Sequence, residues 1–557
     1  MNSFVQYLDQ FNVLSPNHAK IYDEYTQSTD QYRFAIDTNI ERFLLTLFNE
    51  DPRSVIMTGN AGDGKTRLCR TIYERITGQQ LLQWPDSGIL EASFNKGTLR
   101  IVKDLSELTD AVIFKELRCL QDMIENGHES RLYYLIAANE GKLTKFLSQH
   151  SELFELSQMV NKRFLDHKTN DEQLHLVNLQ DVTSSIYAAR IIEEWNREEN
   201  WGACEACSRK KNCVIQLNHR RMSNPLIRSR LVEQYRLLDC LGIHVTMREI
   251  LIHMSYVFTG GLTCEQVMSA GYKDIEEHSK LAYYDNFYGV NMKGSGAGEH
   301  GAIRYFKYLD PGTLSISSID DFLLNGDISG EDQTVQKHRM LFDDEIDLLF
   351  GYYRKLIERY RIQDPDKQSN TIFDQMSKFR RKYFFETDER DESTRKLLMP
   401  YLHFYRFLDS LKDKQTLASV RKELIQGLNH NFSKKLISRN ETNLYIVNEN
   451  LLIHESYSPS QVRLSIDEER SDIDYLPSKI FITVNQQTRL EVKLPVFEYL
   501  LRLAGGGLFV TLKQEVDILL GTFKNDLISQ SELDEFTLQV FAIDPDKGVY
   551  KPYEIDI

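Results

Sequence analysis

The chain is short of three things, and each shortage excludes a class. Seven cysteines in 557 residues, an odd number, fit a reducing cytoplasmic compartment better than a disulfide framework. No apolar run approaches the ~18 residues of a membrane span, so no membrane partner is expected. Basic charge is also scarce: 67 Lys and Arg against 82 Asp and Glu leave a net charge of −15. That argues against coating nucleic acid along the whole surface, though not against a local basic patch. The opening MNSFVQYLDQF lacks a basic stretch and a long apolar stretch, so no secretory signal is expected. There is no internal repeat, and no Ser-His-Asp or Cys-His arrangement follows from spacing.

What the chain does have is core material and one sharp motif. It is 41% hydrophobic with 28 Tyr and 29 Phe, enough for large cores. The length suggests about three to four domains. The motif is MTGNAGDGKT, residues 57–66. The apolar run SVIM (54–57) before it reads as a buried strand. KTRLCRTIYERITG after it begins a helix, with Leu68, Ile72 and Ile76 on one face and Gly78 as its stop. Between them, Gly59, Asn60, Ala61, Gly62, Asp63, Gly64, Lys65 and Thr66 fit G-x-x-x-x-G-K-[ST]. Glycines let backbone N–H groups converge on an anion, and the helix N-terminus adds its own. Lys65 would reach the β- and γ-phosphates of ATP, and Thr66 would ligate Mg²⁺.

Further elements follow in an order that suits this loop. Residues 99–102 form a short apolar strand ending at Asp104. A carboxylate just past a strand beside the P-loop strand is placed to hold Mg²⁺ through water. Glu107 could orient the attacking water, or be a solvated acid in the first turn of the next helix. That helix carries Ile113, Leu117, Leu120 and Ile124 on one face and stops at Gly127. Residues 132–138 are continuously apolar, as a strand covered on both faces should be. Asn139 at its end could meet the γ-phosphate or the attacking water, or serve as a turn residue before Gly141. A long helical stretch is expected over 142–164, then a strand at 174–179. The order reads β-α-β-β-α-β-α-β, an α/β fold with a parallel sheet and helices on both faces.

In this order the chain resembles the AAA+/STAND-type P-loop ATPases. The resemblance implies a helical lid, and HVTMREILIHMSYVFTGG (244–261) is the candidate. Thr246 and Glu249 make a T-x-x-E capping box, so the helix starts at Thr246 and Arg248 lies in its first turn. An arginine there resembles the sensor arginine that contacts the γ-phosphate in that superfamily; the alternative is a solvated surface arginine. Arg163, between two core strands, is one candidate for an intersubunit arginine finger.

A second chemistry sits in CEACSRKKNC. Cys204, Cys207 and Cys213 are spaced C-x₂-C-x₅-C, and His219 could complete a tetrahedral Cys₃His zinc site. An iron–sulfur cluster using Cys240 is the alternative, as are three unliganded cysteines. The same segment is a basic island. Between Cys207 and Val232 stand Arg209, Lys210, Lys211, Arg220, Arg221, Arg228 and Arg230, with no acid among them. Such an island could meet a phosphate backbone, form a solvated face, or receive an acidic partner. MKGSGAGEHG (292–301) reads as a connector, and Asp310-Pro311-Gly312 marks a turn.

From about 338 to 436 charged helices dominate, including FRRKYFF at 379–385. The last ~100 residues mix strands (KIFITVN, FTLQVFAI) with helices such as VFEYLLRLAGG, an α+β module. The expected division is 1–200 for the N-terminal helices and ATPase core, 201–330 for the Cys-rich insert and lid, 331–440 for a helical domain, and 441–557 for the α+β module. GNAGDGKT, IVKDLSEL, the cysteine cluster, VTMREILIHMSYVFTGG and YFKYLDPG, in that order, resemble the DptF family, the ATPase components of DNA phosphorothioation-dependent restriction systems. This resemblance spans most of the chain. It implies an ATP hydrolase in bacterial antiviral defence, assembly with two other restriction subunits, and DNA contact directly or through them; self-association stays open. A STAND-like switch with little turnover and a small-molecule P-loop kinase are the other function classes.

Overall fold

The computed structural model describes residues 1–13, 15, 36–126, 131–171, 173–292, 301–342, 350–362, 369–507, 514–530 and 537–556. Gly127 and most of the connector at 292–301 lie outside these residues. The chain divides into two compact units. The first comprises Met1–Arg236, His244–Leu398 and Arg470–Tyr475; the second comprises Leu237–Ile243, Met399–Glu469 and Leu476–Ile557. The expected boundaries at 200/201 and 330/331 fall inside the first unit.

Five short runs of β-branched and large apolar residues build the sheet of the first unit. After helices α1 (Ser3–Asp9) and α2 (Asn39–Glu50) come β1 (Ser54–Thr58), α3 (Lys65–Thr77), β2 (Ile89–Phe94) and β3 (Gly97–Val102). Then follow α4 (Asp110–Glu125), β4 (Leu132–Ala138), α5 (Glu140–Gln149), α6 (Phe154–Leu165) and β5 (Leu174–Asn178). The strand order is β2-β3-β4-β1-β5. β1, β3, β4 and β5 are parallel, and β2 runs antiparallel to β3 at the edge. The mixed α/β class expected from the sequence is therefore present. Ile56, Val102, Tyr134, Ile136, Leu174 and Leu176 face one core with residues of α4, α5 and α6. The alternate positions Val55, Met57, Leu135, Ala137 and Val177 are equally buried, so the central strands are covered on both faces.

Three expectations are corrected here. The sheet is not wholly parallel, because the hairpin at Asn95–Gly97 returns β3 against β2. The strand leading to Asp104 is not beside the P-loop strand: β4 lies between β3 and β1. The helical stretch over 142–164 is two helices, α5 and α6, separated by a 3-10 turn at Ser151–Leu153. Leu153 is fully buried there, so the break turns an apolar residue into the core.

Beyond β5 the first unit is helical: α7 (Ser184–Trp195), α8 (Glu198–Glu205), α9 (Val214–Met222), α10 (Pro225–Leu241, whose end enters the second unit), α11 (Met247–Thr259) and α12 (Cys264–Ser269). Farther along, the helix Ser369–Glu386 carries FRRKYFF, and its charges point inward. Arg381 gives two hydrogen bonds to Asp310, at 2.8 and 2.7 Å, and one to Asp285 at 3.0 Å. Arg380 pairs with Asp320, and Lys382 with Glu386. Asp310-Pro311-Gly312 is a turn, as its residues imply, but a buried one. A Cβ on Gly312 would stand 2.7 Å from the Ser377 carbonyl oxygen and 2.9 Å from the Arg381 guanidinium.

The second unit holds two antiparallel sheets, with three and four strands. Ile480–Val484 and Thr537–Asp544 are the strands read from KIFITVN and FTLQVFAI, and Leu494–Ala504 is the helix of VFEYLLRLAGG. Lys414–Ser433 crosses that helix at Gly427, where a Cβ would come 2.3 Å from the Leu500 carbonyl oxygen.

Arg381 gives a direct test of the first unit's helical layer. Arg381→Ala strands two buried carboxylates and should destabilise this unit by roughly 3–5 kcal/mol. Chemical denaturation checks this; a midpoint unchanged from wild type would show that the carboxylates find other partners.

Candidate functional site

The loop between β1 and α3 is shaped by its glycines. Gly62 and Gly64 take φ of +99° and +86°, a region closed to most side chains. Gly64 caps α3 with no side chain of its own, leaving the first N–H groups of that helix directed at the loop. Asn60 and Ala61 are exposed at the crest. Lys65 is buried, and its ammonium donates to the Gly59 and Asn60 carbonyl oxygens at 2.9 and 2.8 Å. Burial lowers its pKa, opposed by the charges of Asp63 and Asp104. Thr66 follows in the first turn of α3. Thr58, whose buried hydroxyl has no partner among the described residues, ends β1 under the loop.

The segment 244–249 is joined to this loop at His244 and Arg248. His244 Nε2 lies 2.8 Å from Asp63 Oδ1, while Asp63 Oδ2 accepts the Asn60 N–H at 2.5 Å. Val245 and the Ser184 hydroxyl exchange hydrogen bonds at 3.1 and 3.2 Å. Thr246 and Glu249 form the capping box expected from the sequence. The Arg248 N–H donates to the Gly62 carbonyl oxygen at 3.1 Å. Arg248 is thus brought to the P-loop, and its charge acts on Lys65. The Asp63–His244 contact was missed by sequence reasoning, because it links residues 181 positions apart.

The remaining sequence-derived residues are placed unequally. Asp104 is close enough to Lys65 for its charge to act there, and its carboxylate accepts the Ser106 N–H at 2.7 Å. Asn139 stands at the end of β4, between the strands of the loop and of Asp104. Its side-chain oxygen caps α5 by accepting the Lys142 N–H at 3.2 Å, so its NH₂ group is what it offers a ligand. Gly141 lies within the first turn of α5, not in a turn after Asn139. Glu107 forms an ion pair with Lys103 at 2.7 Å and is half exposed. Neighbouring Glu140 accepts from Asn178 and Gln180 at 3.1 and 3.3 Å, joining the ends of β4 and β5. A polar residue at the end of each parallel strand is the signal that would have found this pair.

Two further expectations are corrected by their surroundings. Arg163 is buried and donates to the Leu174 and Met159 carbonyls and to Asp171. Leu174 begins β5, the end of the sheet away from the loop, so Arg163 is a staple and not an arginine finger. The basic island is largely engaged: Lys210 pairs with Glu205, Arg221 with Glu386, and Arg230 with Glu392, while Arg209 donates to the Met268 and Ala270 carbonyls.

His219 stacks flat on Trp201, 4.3 Å between rings, and its Nδ1 lies 2.8 Å from Asn196 Oδ1. Burial pushes its pKa down to about 4. Cys240 is buried in the second unit, whereas Cys204, Cys207 and Cys213 belong to the first. Among the described residues, no three His, Cys, Asp or Glu side chains stand in coordinating geometry.

The seating of α11 on the loop can be measured by comparing two glycines. A Cβ on Gly62 would meet Arg248 Cβ at 3.0 Å and Thr246 Oγ1 at 3.2 Å, whereas one on Gly64 would meet nothing within 4 Å. Both substitutions carry the left-handed backbone cost of about 1–2 kcal/mol. Gly62→Ala should therefore lower the melting temperature more than Gly64→Ala, and an equal or reversed order would unseat the helix from the loop. Compared with known proteins, the chain matches no family model, no curated protein and no solved structure.

Proposed function

We propose that the first unit binds and hydrolyses ATP, as the ATPase subunit of a bacterial complex that restricts DNA by its phosphorothioation state. The observation that carries the nucleotide reading is the loop itself: left-handed glycines, open helix N–H groups and a buried lysine converge at the carboxyl end of β1, which is flanked by parallel strands on both sides. Lys65 would exchange its two carbonyl partners for phosphate oxygens, whose charge offsets the burial that disfavours its ammonium. Mg²⁺, held by the Thr66 hydroxyl and through water by Asp104, both hard oxygen donors, would neutralise the phosphates. Asn139 would orient the attacking water with its NH₂ group. Arg248, carried by the seated helix, would add a cation beside the γ-phosphate. The restriction role rests on the resemblance in motif order alone.

One observation favours the switch reading as a second option. The segment 244–249 binds the loop's own groups through His244 and Arg248. A protein whose lid is built this way could hold nucleotide long and turn over rarely. Nucleotide retained through purification, with negligible steady-state hydrolysis, would decide for the switch.

Lys65→Ala should abolish ATP binding or lower turnover by about 10²-fold or more, with the circular dichroism unchanged. Asp104→Ala should mainly weaken Mg²⁺-dependent turnover. Both are read as phosphate release, with and without unmodified and phosphorothioated DNA. Wild-type hydrolysis in the Lys65 variant refutes the site; a phosphorylated small-molecule acceptor would make the protein a kinase.

A further inference from the structure

Six residues from late in the sequence are built into the first unit. Arg470–Tyr475 is part of it, although the chain on both sides, up to Glu469 and from Leu476, belongs to the second unit. The segment, RSDIDY, is mostly polar, yet Ile473 and Asp474 are fully buried and Asp472 nearly so. Its anchors lie past the end of β5 and at the starts of α2 and α7. Arg470 reaches Asp181, just beyond β5, at 2.7 Å, and grips Asp472 through two hydrogen bonds of 3.0 and 2.7 Å. The Asn39 side chain donates to the Ile473 carbonyl at 3.3 Å. Asp474 makes the remaining contacts. Its carbonyl oxygen accepts the Thr183 N–H at 2.9 Å. Its carboxylate accepts the Asn39 N–H, at the start of α2, at 2.9 Å and stands 2.7 Å from the Arg190 guanidinium of α7. The dipole of α2 favours a carboxylate at that end. Arg190 donates in turn to the Asp37 carbonyl at 2.7 Å, so the approach to α2 is held by the same group.

From Asp474 the contacts continue to the glycine loop. Thr183, held by Asp474, is followed by Ser184, whose hydroxyl accepts the Val245 N–H and donates to the Val245 carbonyl. Val245 follows His244, which meets Asp63, and three residues on the Arg248 N–H meets the Gly62 carbonyl. Each link from Asp474 to the loop is thus a hydrogen bond or a short step along the chain, a contiguous network with no gap. Tyr187, in the first turn of α7, marks the same proximity. Burial raises its phenol pKa most, and the charges of Asp474 and Asp63 both add to the rise. We infer that Arg470–Tyr475 is a strap that controls the seating of α11 on the glycine loop, with Asp474 as its positioning residue. Seated, the strap fixes the start of α7 and so holds 244–249 in place. Released, it frees that segment. Because both flanks of the strap belong to the second unit, events there act on the loop through it. Linkage makes this reciprocal: a ligand that tightens the loop's seat tightens the strap by the same factor. With ATP as that ligand, this last statement rests on the nucleotide reading above.

The test is amide hydrogen exchange on the full chain without nucleotide. Asp474→Ala should speed exchange at residues 470–475 and at 245–248 by about tenfold or more, as expected for losing hydrogen bonds to a charged group. The amides of β4 should keep wild-type rates. Asp320→Ala, which removes the carboxylate paired with Arg380, should leave both segments unchanged. If Asp474→Ala does not fold, Asp474→Asn should show the same pattern to a smaller degree. That variant keeps an acceptor for the Asn39 N–H but gives up the charge facing Arg190. Faster exchange at 470–475 with 245–248 unchanged overturns the inference. So does an equal rise in β4, which is general loosening, or a variant that exchanges like wild type. Calorimetric titration with ATP is the second arm, where Asp474→Ala should bind about tenfold more weakly. Unchanged ATP affinity in a variant whose 245–248 segment exchanges fast overturns the regulatory role. A wild-type protein that binds no ATP refutes the nucleotide reading instead, and the exchange rates still decide the strap.

Discussion

The carbonyl of Gly62, accepting the Arg248 N–H, is the contact on which the rest of the site depends. It requires a residue without a Cβ at a left-handed position, because both the φ and the approach of Arg248 exclude one. Once made, it fixes the entry of α11 and therefore where Arg248 can point. The neighbouring residues add to it in sequence: His244 holds Asp63, Val245 holds Ser184 at the start of α7, and Thr246 closes the capping box. Two anchors, His244 on Asp63 and Arg248 on Gly62, make the glycine loop and the start of α11 one structural piece.

The chain's scarcity of cations is managed by spending them internally. Arg381 joins Asp285 and Asp310, Arg230 reaches Glu392, and Arg395 reaches Glu233. Each buried pair costs desolvation and returns a fixed geometry between helices far apart in sequence. The consequence for DNA is concrete. FRRKYFF and much of the basic island look available in the sequence, yet their guanidinium and ammonium groups already face carboxylates or carbonyls. A phosphate backbone meeting those groups would have to displace these partners first.

The strand, glycine turn and helix over 54–77 were legible in the sequence because their geometry is local: a short apolar run, three glycines and an amphipathic helix within two dozen residues dictate it. The capping box at Thr246 and the buried strand at 132–138 were legible for the same reason. Legibility failed where partners are distant. Ile89–Phe94 shows little apolar alternation, and only its pairing with β3 makes it a strand. Arg163 has no local sign of the Leu174 and Met159 carbonyls it serves. The stacking of His219 on Trp201 likewise has no local sign in its spacing from Cys213.

Helix α11 is the element on which much of the first unit's helical packing converges. Its thirteen residues span roughly 20 Å, with the glycine loop after β1 at one end and the start of α12 beyond the other. Its flanks are held throughout. Ser255 donates to the Leu8 carbonyl of α1, Asn218 of α9 donates to the Phe258 carbonyl, and Phe258 packs on Trp195 and Trp201. Asn2, at the start of α1, is the residue that touches Cys204. A shift of α11 driven from the Arg248 end would therefore meet resistance at each of these contacts before reaching α12. A packed helix transmits such a shift as a rigid element and does not absorb it.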